Sequence, residues 1–437
     1  MFRRNKDGSP AGPLTAIRHG DATWIIREGW RESILAADAP DWFHVDREPH
    51  AECVESGWQR AVWRVDRDGR QVFAKVMRET GLRNRVKAWL LGTHAEREWC
   101  MVTGAAAVGV PAPTAIAVGV RTATSMDNVF LTEAFPNAVT LSETWARDVP
   151  NIFDARRRHA VRRLIDVVAR LLATSHRRGF AHRDGHPNNI LIAANKGDVW
   201  EAAFVDTHGS HLGRGPIAQR LGIRALAHVD QYFHRLATRS ERMRFLQAYQ
   251  SHLTPDAEKA QDRLDRRRLA AQIQAVRRRH AARLAKRRDR RLRGTGSYFA
   301  SLELGGGWRA SVATKLERRH VFPEATVPDR TAAQWRELLA FFPSDGVGFE
   351  KAGPRAGDGR ISFEWATVRG LFERIRSTFA ASKHRRAFEG CHRRRHRDLY
   401  AALVLGYAEH RVGGLVDATV LLRPASPESR QGGSPTE

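Results

Sequence analysis

The chain has 437 residues, 42% of them hydrophobic, which is enough for a packed core in one large domain or in two to three ordinary ones. It contains no run of about 18 apolar residues, which excludes a membrane-spanning helix, and its three cysteines, Cys53, Cys100 and Cys391, are too few and too scattered for a disulfide framework or a zinc knuckle, so a reducing cytoplasm fits. With 73 Lys and Arg against 48 Asp and Glu, the net charge of +25 suits a polyanionic partner: nucleic acid, an anionic membrane or a phosphorylated glycolipid.

The first residues, MFRRNKDGSPAGPLTAIRHGD, start basic with no apolar segment behind them. They are not a secretory signal and read as a frayed tail within an N-terminal extension over 1–49. From about residue 50 the pattern turns extended. Ala61, Trp63 and Val65 alternate, Asp68-Gly69 marks a turn, and Gln71 to Val76 continue as a strand carrying Lys75. A helix is predicted over 94–107, ended by Gly109 and Pro111, and a strand over residues 128–133. Together these make a small, mostly β lobe over 50–140.

From residue 153 the period changes. Val161, Leu164, Ile165, Val168, Leu171 and Leu172 recur three and four apart, and Gly179 supplies a left-handed stop. Short strands are expected at 190–193 and 203–205, with helices dominating to about 293, so 141–295 forms a mostly α lobe. Within it, residues 263–293 carry fourteen Lys and Arg against Asp265 and Asp289 around an apolar stripe of Leu269, Ile273, Val276 and Leu284. This basic amphipathic helix is either a solvated outer face or a contact for an anionic membrane surface or glycolipid.

Beyond 296 the organisation differs: Gly305-Gly306-Gly307, a Pro/Asp turn near 323–330, a Gly-rich loop near 353–359, then a helix and strands to about 422. The polar tail 424–437 reads as disordered. Arg386-Ala387-Phe388, Leu405-Gly406 and Val420-Leu421-Leu422 faintly echo Glu98-Trp99, Val118-Gly119 and Phe130-Leu131, suggesting a degenerate copy of the small lobe or a substrate cover. Cys391, His392 and His396 have a faint ligand spacing, but the surrounding arginines repel a cation.

The segment Phe180-Ala181-His182-Arg183-Asp184-Gly185-His186-Pro187-Asn188-Asn189 holds the His-Arg-Asp, four residues, Asn pattern of a phosphotransferase catalytic loop. It follows a helix and a glycine, precedes an apolar strand, and is answered by Phe204-Val205-Asp206 at the end of another. Phosphoryl transfer asks a protein mainly to position charge. Asp184 is expected to orient the proton of the attacking hydroxyl. Asn189 and Asp206, hard oxygen donors, are expected to bind Mg2+ on the phosphates of ATP. Lys75 would meet the α and β phosphates, held by a glutamate of the next helix. Glu96 and Glu98 both qualify, cannot both face the lysine, and Glu98 is preferred.

From Val72 to about Arg293 the chain resembles the Kdo/WaaP lipopolysaccharide kinase family, in Phe73-Ala74-Lys75, Glu98-Trp99, Gly109-Val110-Pro111-Ala112-Pro113, Leu131-Thr132-Glu133, the loop around Asp184, and Val205-Asp206. The resemblance implies an α+β, bilobal protein-kinase-like fold with a C-terminal α+β extension. It further implies Glu133 beside the nucleotide, a place at the cytoplasmic face of the inner membrane, and transfer of the γ-phosphate of ATP to a hydroxyl of Kdo or heptose.

Departures narrow the acceptor. No Gly-x-Gly-x-x-Gly precedes Lys75, and Gly57 alone is left to shape a short phosphate-covering loop. Asp206-Thr207-His208-Gly209 stands where kinases show Asp-Phe-Gly, and no Ala-Pro-Glu signal for gripping peptides follows. A sugar or glycolipid acceptor fits these absences. A kinase for a soluble aminoglycoside-like molecule and a pseudokinase scaffold stay open as alternatives. A nucleic-acid binder rests on charge alone, and none of the usual reader motifs supports it.

Overall fold

The computed structural model describes residues 14–57, 59–79, 81–121, 127–149, 154–194, 200–254, 262–292, 294–296, 298–315, 330–340, 361–397 and 401–424. Two compact units, Met1–Arg277 and Arg278–Glu437, make up the chain, and each mixes helix and sheet. Among the described residues no helix is long and apolar enough to cross a membrane.

The first unit opens with β1 (Leu14–His19), β2 (Ala22–Arg27), the short α1 (Arg31–Leu35), β3 (Glu52–Ser56), β4 (Arg60–Arg67) and β5 (Arg70–Met77). Next come α2 (Leu82–Leu91), α3 (His94–Ala107), β6 (Ala115–Arg121) and β7 (Asn128–Glu133). The seven strands form one antiparallel sheet in the order β1-β2-β6-β7-β5-β4-β3. Residues expected to be a tail therefore hold the edge of the sheet, which corrects the expectation of a frayed extension. Ala22, Trp24 and Ile26 turn inward at a period of two. Trp24 lies opposite Gly119, where an added Cβ would stand 2.8 Å from the indole. Only glycine leaves the ring its place. Residues 1–13 lie outside the described residues.

The helical part begins with β8 (Ala138–Thr140), α4 (Leu141–Asp148) and α5 (Ala155–Arg177). Asp154 caps α5 by accepting from the Arg157 amide at 2.9 Å, and Val161, Leu164, Val168, Leu171 and Leu172 bury its apolar face. Then come β9 (Phe180–Ala181), β10 (Ile190–Ala194), β11 (Trp200–Phe204), β12 (His211–Leu212), α6 (Gln219–Phe233), α7 (Arg239–Leu253) and α8 (Asp262–Arg291). The second expected strand starts three residues earlier than predicted, at Trp200. Helix α8 turns Ile273 into the core, with Leu269 and Val276 packed beside it. The division between the units falls inside this continuous helix rather than at the expected 295/296 boundary, because no linker interrupts it.

The second unit continues with β13 (Phe299–Gly305), β14 (Trp308–Ala313), α9 (Ala332–Leu338), β15 (Ile361–Thr367), α10 (Leu371–Phe379), α11 (Lys383–His396), β16 (Gly406–Val412) and β17 (Leu415–Pro424). Its five strands are ordered β13-β14-β16-β17-β15 around a core of Leu302, Trp308, Trp335, Val420 and Leu422. Pro424 closes β17, so the expected disordered tail gives up its first residue to the sheet; 425–437, like the turns near 323–329 and 353–359, lie outside the described residues. Cys391 donates to the Ala402 carbonyl at 3.0 Å, His392 to that of Val404 at 2.9 Å, and His396 pairs with Asp289 at 2.9 Å. These three side chains join packing elements of the second unit.

Candidate active site

Strand β5 buries Val72, Ala74 and Val76, which puts Phe73 and Lys75 on its other face. Helix α3 starts with a capping box. The Thr93 hydroxyl accepts from the Glu96 amide at 3.3 Å, and the Glu96 carboxylate accepts from the Thr93 amide at 2.7 Å. Glu96 is thereby spent on the helix end. Glu98, two residues on and 2% exposed, receives the Lys75 ammonium in a close ion pair. Lys75 Nζ also stands 3.7 Å from Asp206 Oδ1, so three groups from β5, α3 and the segment after β11 converge.

His182 opens the loop as a positioning side chain. Its Nε2 donates to the Val205 carbonyl at 2.9 Å, its ring stacks on Phe204, and burial pushes its pKa down. The Val205 amide in turn donates to the Asn189 carbonyl at 3.0 Å, tying the loop to the Asp206 segment. Asn189 Nδ2 donates to the Asp184 carbonyl at 2.9 Å, which fixes the side chain across the loop. The Asp184 carboxylate is exposed, 3.7 Å from His228 Nδ1 of α6; that interaction first, with the charges of His186 and His182, lowers its pKa against partial burial.

Asp206 has φ of 59°, the left-handed region that costs a non-glycine residue about 1 kcal/mol or more. Its carboxylate meets His208 Nδ1 at 2.8 Å and Arg60 Nη1 at 2.8 Å. Burial raises its pKa, but the His208 hydrogen bond and the charges of Lys75 and Arg60 outweigh that and hold it far below the ordinary carboxylate value. Arg60 reaches back to Glu55 as well, at 2.9 Å.

The Glu98, Asp206 and His208 donor atoms lie within 4.8 Å of one another. Glu98 is engaged by Lys75, and imidazole is a poor magnesium ligand, so the hard donors suited to that ion are the Asp206 carboxylate and the Asn189 amide oxygen. In this structure the Arg60 guanidinium is the cation on Asp206 Oδ2.

Two expected residues lie at the sheet. Gly57 closes a turn by donating its amide to the Arg60 carbonyl at 2.8 Å, and Glu133 ends β7 with its amide on the Thr114 carbonyl at 2.9 Å. Sequence reasoning missed Arg60, His208 and His228. His208 was visible beside Asp206, but Arg60 is one of 73 basic residues and gave no signal.

Residues 47–249 match the family described as Lipopolysaccharide kinase (Kdo/WaaP) family. The lipopolysaccharide core heptose(I) kinase WaaP of Pseudomonas aeruginosa is 29% identical over 205 residues, covering 44% of this chain and 73% of that protein. A solved WaaP in complex with acyl carrier protein overlaps at TM-score 0.40 and 22% identity, over 57% of this chain and 98% of the other. The BubR1 kinase domain overlaps at TM-score 0.33 and 13% identity, over 62% and 89%. Residues 47–249 thus match the lipopolysaccharide kinase (Kdo/WaaP) family, and that match together with the WaaP relative indicates a kinase.

Proposed function

We propose that the chain transfers the γ-phosphate of ATP to a hydroxyl of a heptose or Kdo sugar in the lipopolysaccharide core. The observation that carries this is the convergence of Lys75, Glu98 and Asp206, with Lys75 Nζ 3.7 Å from Asp206. In this reading the first unit is a two-lobed kinase: the seven-stranded sheet with α3 as the small lobe, the helices from α4 onward as the large one. ATP lies between Lys75 and Asp206, with Gly57 and Glu133 along its edge.

Lys75 binds the α and β phosphates, and Glu98 holds its ammonium forward. Asp184, ionised and exposed, accepts or orients the proton of the sugar hydroxyl. Asn189 is braced by the Asp184 carbonyl, so its amide oxygen is left to a metal. Magnesium held by Asp206 and Asn189 would supply charge neutralisation at the phosphates. Arg60 must release Asp206 for that ion, which frees its guanidinium fork for a phosphate.

The test is an acceptor panel: labelled ATP and Mg2+ with heptose-bearing core, Kdo-bearing lipid A, and soluble aminoglycoside-like sugars. Label in a core acceptor is the expected result. Label confined to the soluble sugars would overturn the assignment of the substrate.

A further inference from the structure

Twelve large apolar side chains are exposed among the described residues, and nine of them sit on α2 and α10. On α2 they are Leu82, Val86, Trp89, Leu90 and Leu91; on α10, Leu371, Phe372, Ile375 and Phe379. Trp89 is 79% exposed and Phe379 82%. At about 100° per residue, Leu82, Val86, Trp89 and Leu90 fall within an arc of about 100°, and the buried Ala88 lies about 150° from its centre. Leu371, Phe372, Ile375 and Phe379 make a similar arc on α10, opposite the buried Ser377. Each helix thus turns a small residue inward and an apolar ridge outward, with Leu91 exposed off the ridge of α2. Leaving such side chains in water forgoes about 1.5–3 kcal/mol apiece, and contiguous ridges of this kind mark contact surfaces.

The two helices occupy the same place in two like-built lobes. In the first unit β5 pairs with β7, Lys75 opposite Phe130; in the second β15 pairs with β17, Glu364 opposite Leu421. The order β1-β2-β6-β7-β5 is repeated as β13-β14-β16-β17-β15. Gly81 and Gly370, both at φ 83°, open the two helices, and twelve residues later Thr93 and Ser382 cap the next ones. Position for position, Glu364 replaces Lys75 and Ala387 replaces Glu98, so the second lobe has lost the nucleotide pair. It has kept Leu371, Ile375 and Phe379 for Leu82, Val86 and Leu90, and Arg374 and Arg376 for Arg85 and Lys87. A feature retained where the phosphate-gripping residues are gone serves something other than phosphate transfer.

The chemistry of the ridges names the surface. Helix α2 has no acidic residue and exposes Arg85 and Lys87 beside its ridge, with an indole among the aliphatic side chains. On α10 the one acid, Glu373, is paired with Arg376, and the half-buried Arg374 donates to the Val412 carbonyl at 3.4 Å, so this helix offers less free charge than α2. Apolar ridge, flanking cations and an interfacial tryptophan match the boundary of an anionic bilayer, in a chain of net charge +25. Helix α8, by contrast, spends Ile273, Leu269 and Val276 on its own core and offers a bilayer charge alone.

We propose that α2 and α10 are a duplicated pair of interfacial helices, each seating its lobe on an anionic lipid bilayer with its apolar ridge in the acyl boundary and its cations on the lipid phosphates. The test is sedimentation of the full chain with phosphatidylcholine vesicles containing phosphatidylglycerol or none, without ATP, so its outcome is separate from the kinase reading. Wild type should bind the anionic vesicles preferentially. Leu82→Ser with Leu90→Ser, and Leu371→Ser with Phe379→Ser, should each weaken binding about tenfold or more, with circular dichroism and melting unchanged. The Trp89 contribution to fluorescence, obtained by difference from Trp89→Phe, should shift to the blue on binding. Absence of wild-type binding, or variants that bind as wild type does, would overturn the proposal. So would a dimer in solution that the same variants dissolve without any vesicle binding.

Discussion

Glu96 and Glu98 sit two residues apart on α3 and do different work. Glu96 closes the helix end against Thr93, and Glu98 is buried against Lys75. Glu96→Gln, whose amide can still accept from Thr93, should keep turnover and cost no more than about 1 kcal/mol in urea unfolding. Glu98→Gln should lower phosphate transfer about 100-fold with the fold retained, because the lysine loses the charge that fixes it. Equal activity of the two variants would remove the pair from the site. The lysine, the loop around Asp184 and the Asp206 segment were legible because each is a short local pattern. Arg60 and His228 were not, since they matter only through contacts made 146 and 44 positions away.

At the scale of elements, α5 and its stop show how a sequence signal becomes position. Gly179 has φ of 85°, and a Cβ there would lie 2.5 Å from the Gly213 carbonyl. Gly179→Ala should therefore cost about 2 kcal/mol or more, read as a fall in Tm, and displace the β9–β12 pair that leads into His182. Helix α5 was legible from its period, and α3 from the Gly109 and Pro111 that follow it. The β1–β2 hairpin was not: its partner β6 lies about a hundred residues away, and alternation over six residues beside a charged terminus is a weak signal on its own. Helix α2 escaped for the opposite reason, because its apolar residues face outward and no core pattern announces them.

At the scale of the whole molecule, each unit holds a buried histidine that must stay neutral. Burial pushes His176 of the first unit down to about 4 and His392 of the second down to about 3. Their folded values are depressed, so the stability they support is present above the unfolded value of about 6.5 and is lost as pH falls toward the folded values. Each unit should lose about 1.4 kcal/mol per pH unit from this source between about 6 and 4.5. A His392→Gln variant measured by urea unfolding should show a shallower slope in the second unit; an unchanged slope would place the acid sensitivity elsewhere. The echo of the small lobe in the second unit was faint in sequence because it lies in strand order and register rather than in residue identity.

The central claim is that the loop carrying Asp184 performs phosphate transfer. Single-turnover transfer from labelled ATP to lipopolysaccharide core, compared between wild type and Asp184→Asn, tests it most directly. The expected result is a loss on the order of 1000-fold in the variant with ATP binding retained. Transfer at the same rate by both proteins would contradict it.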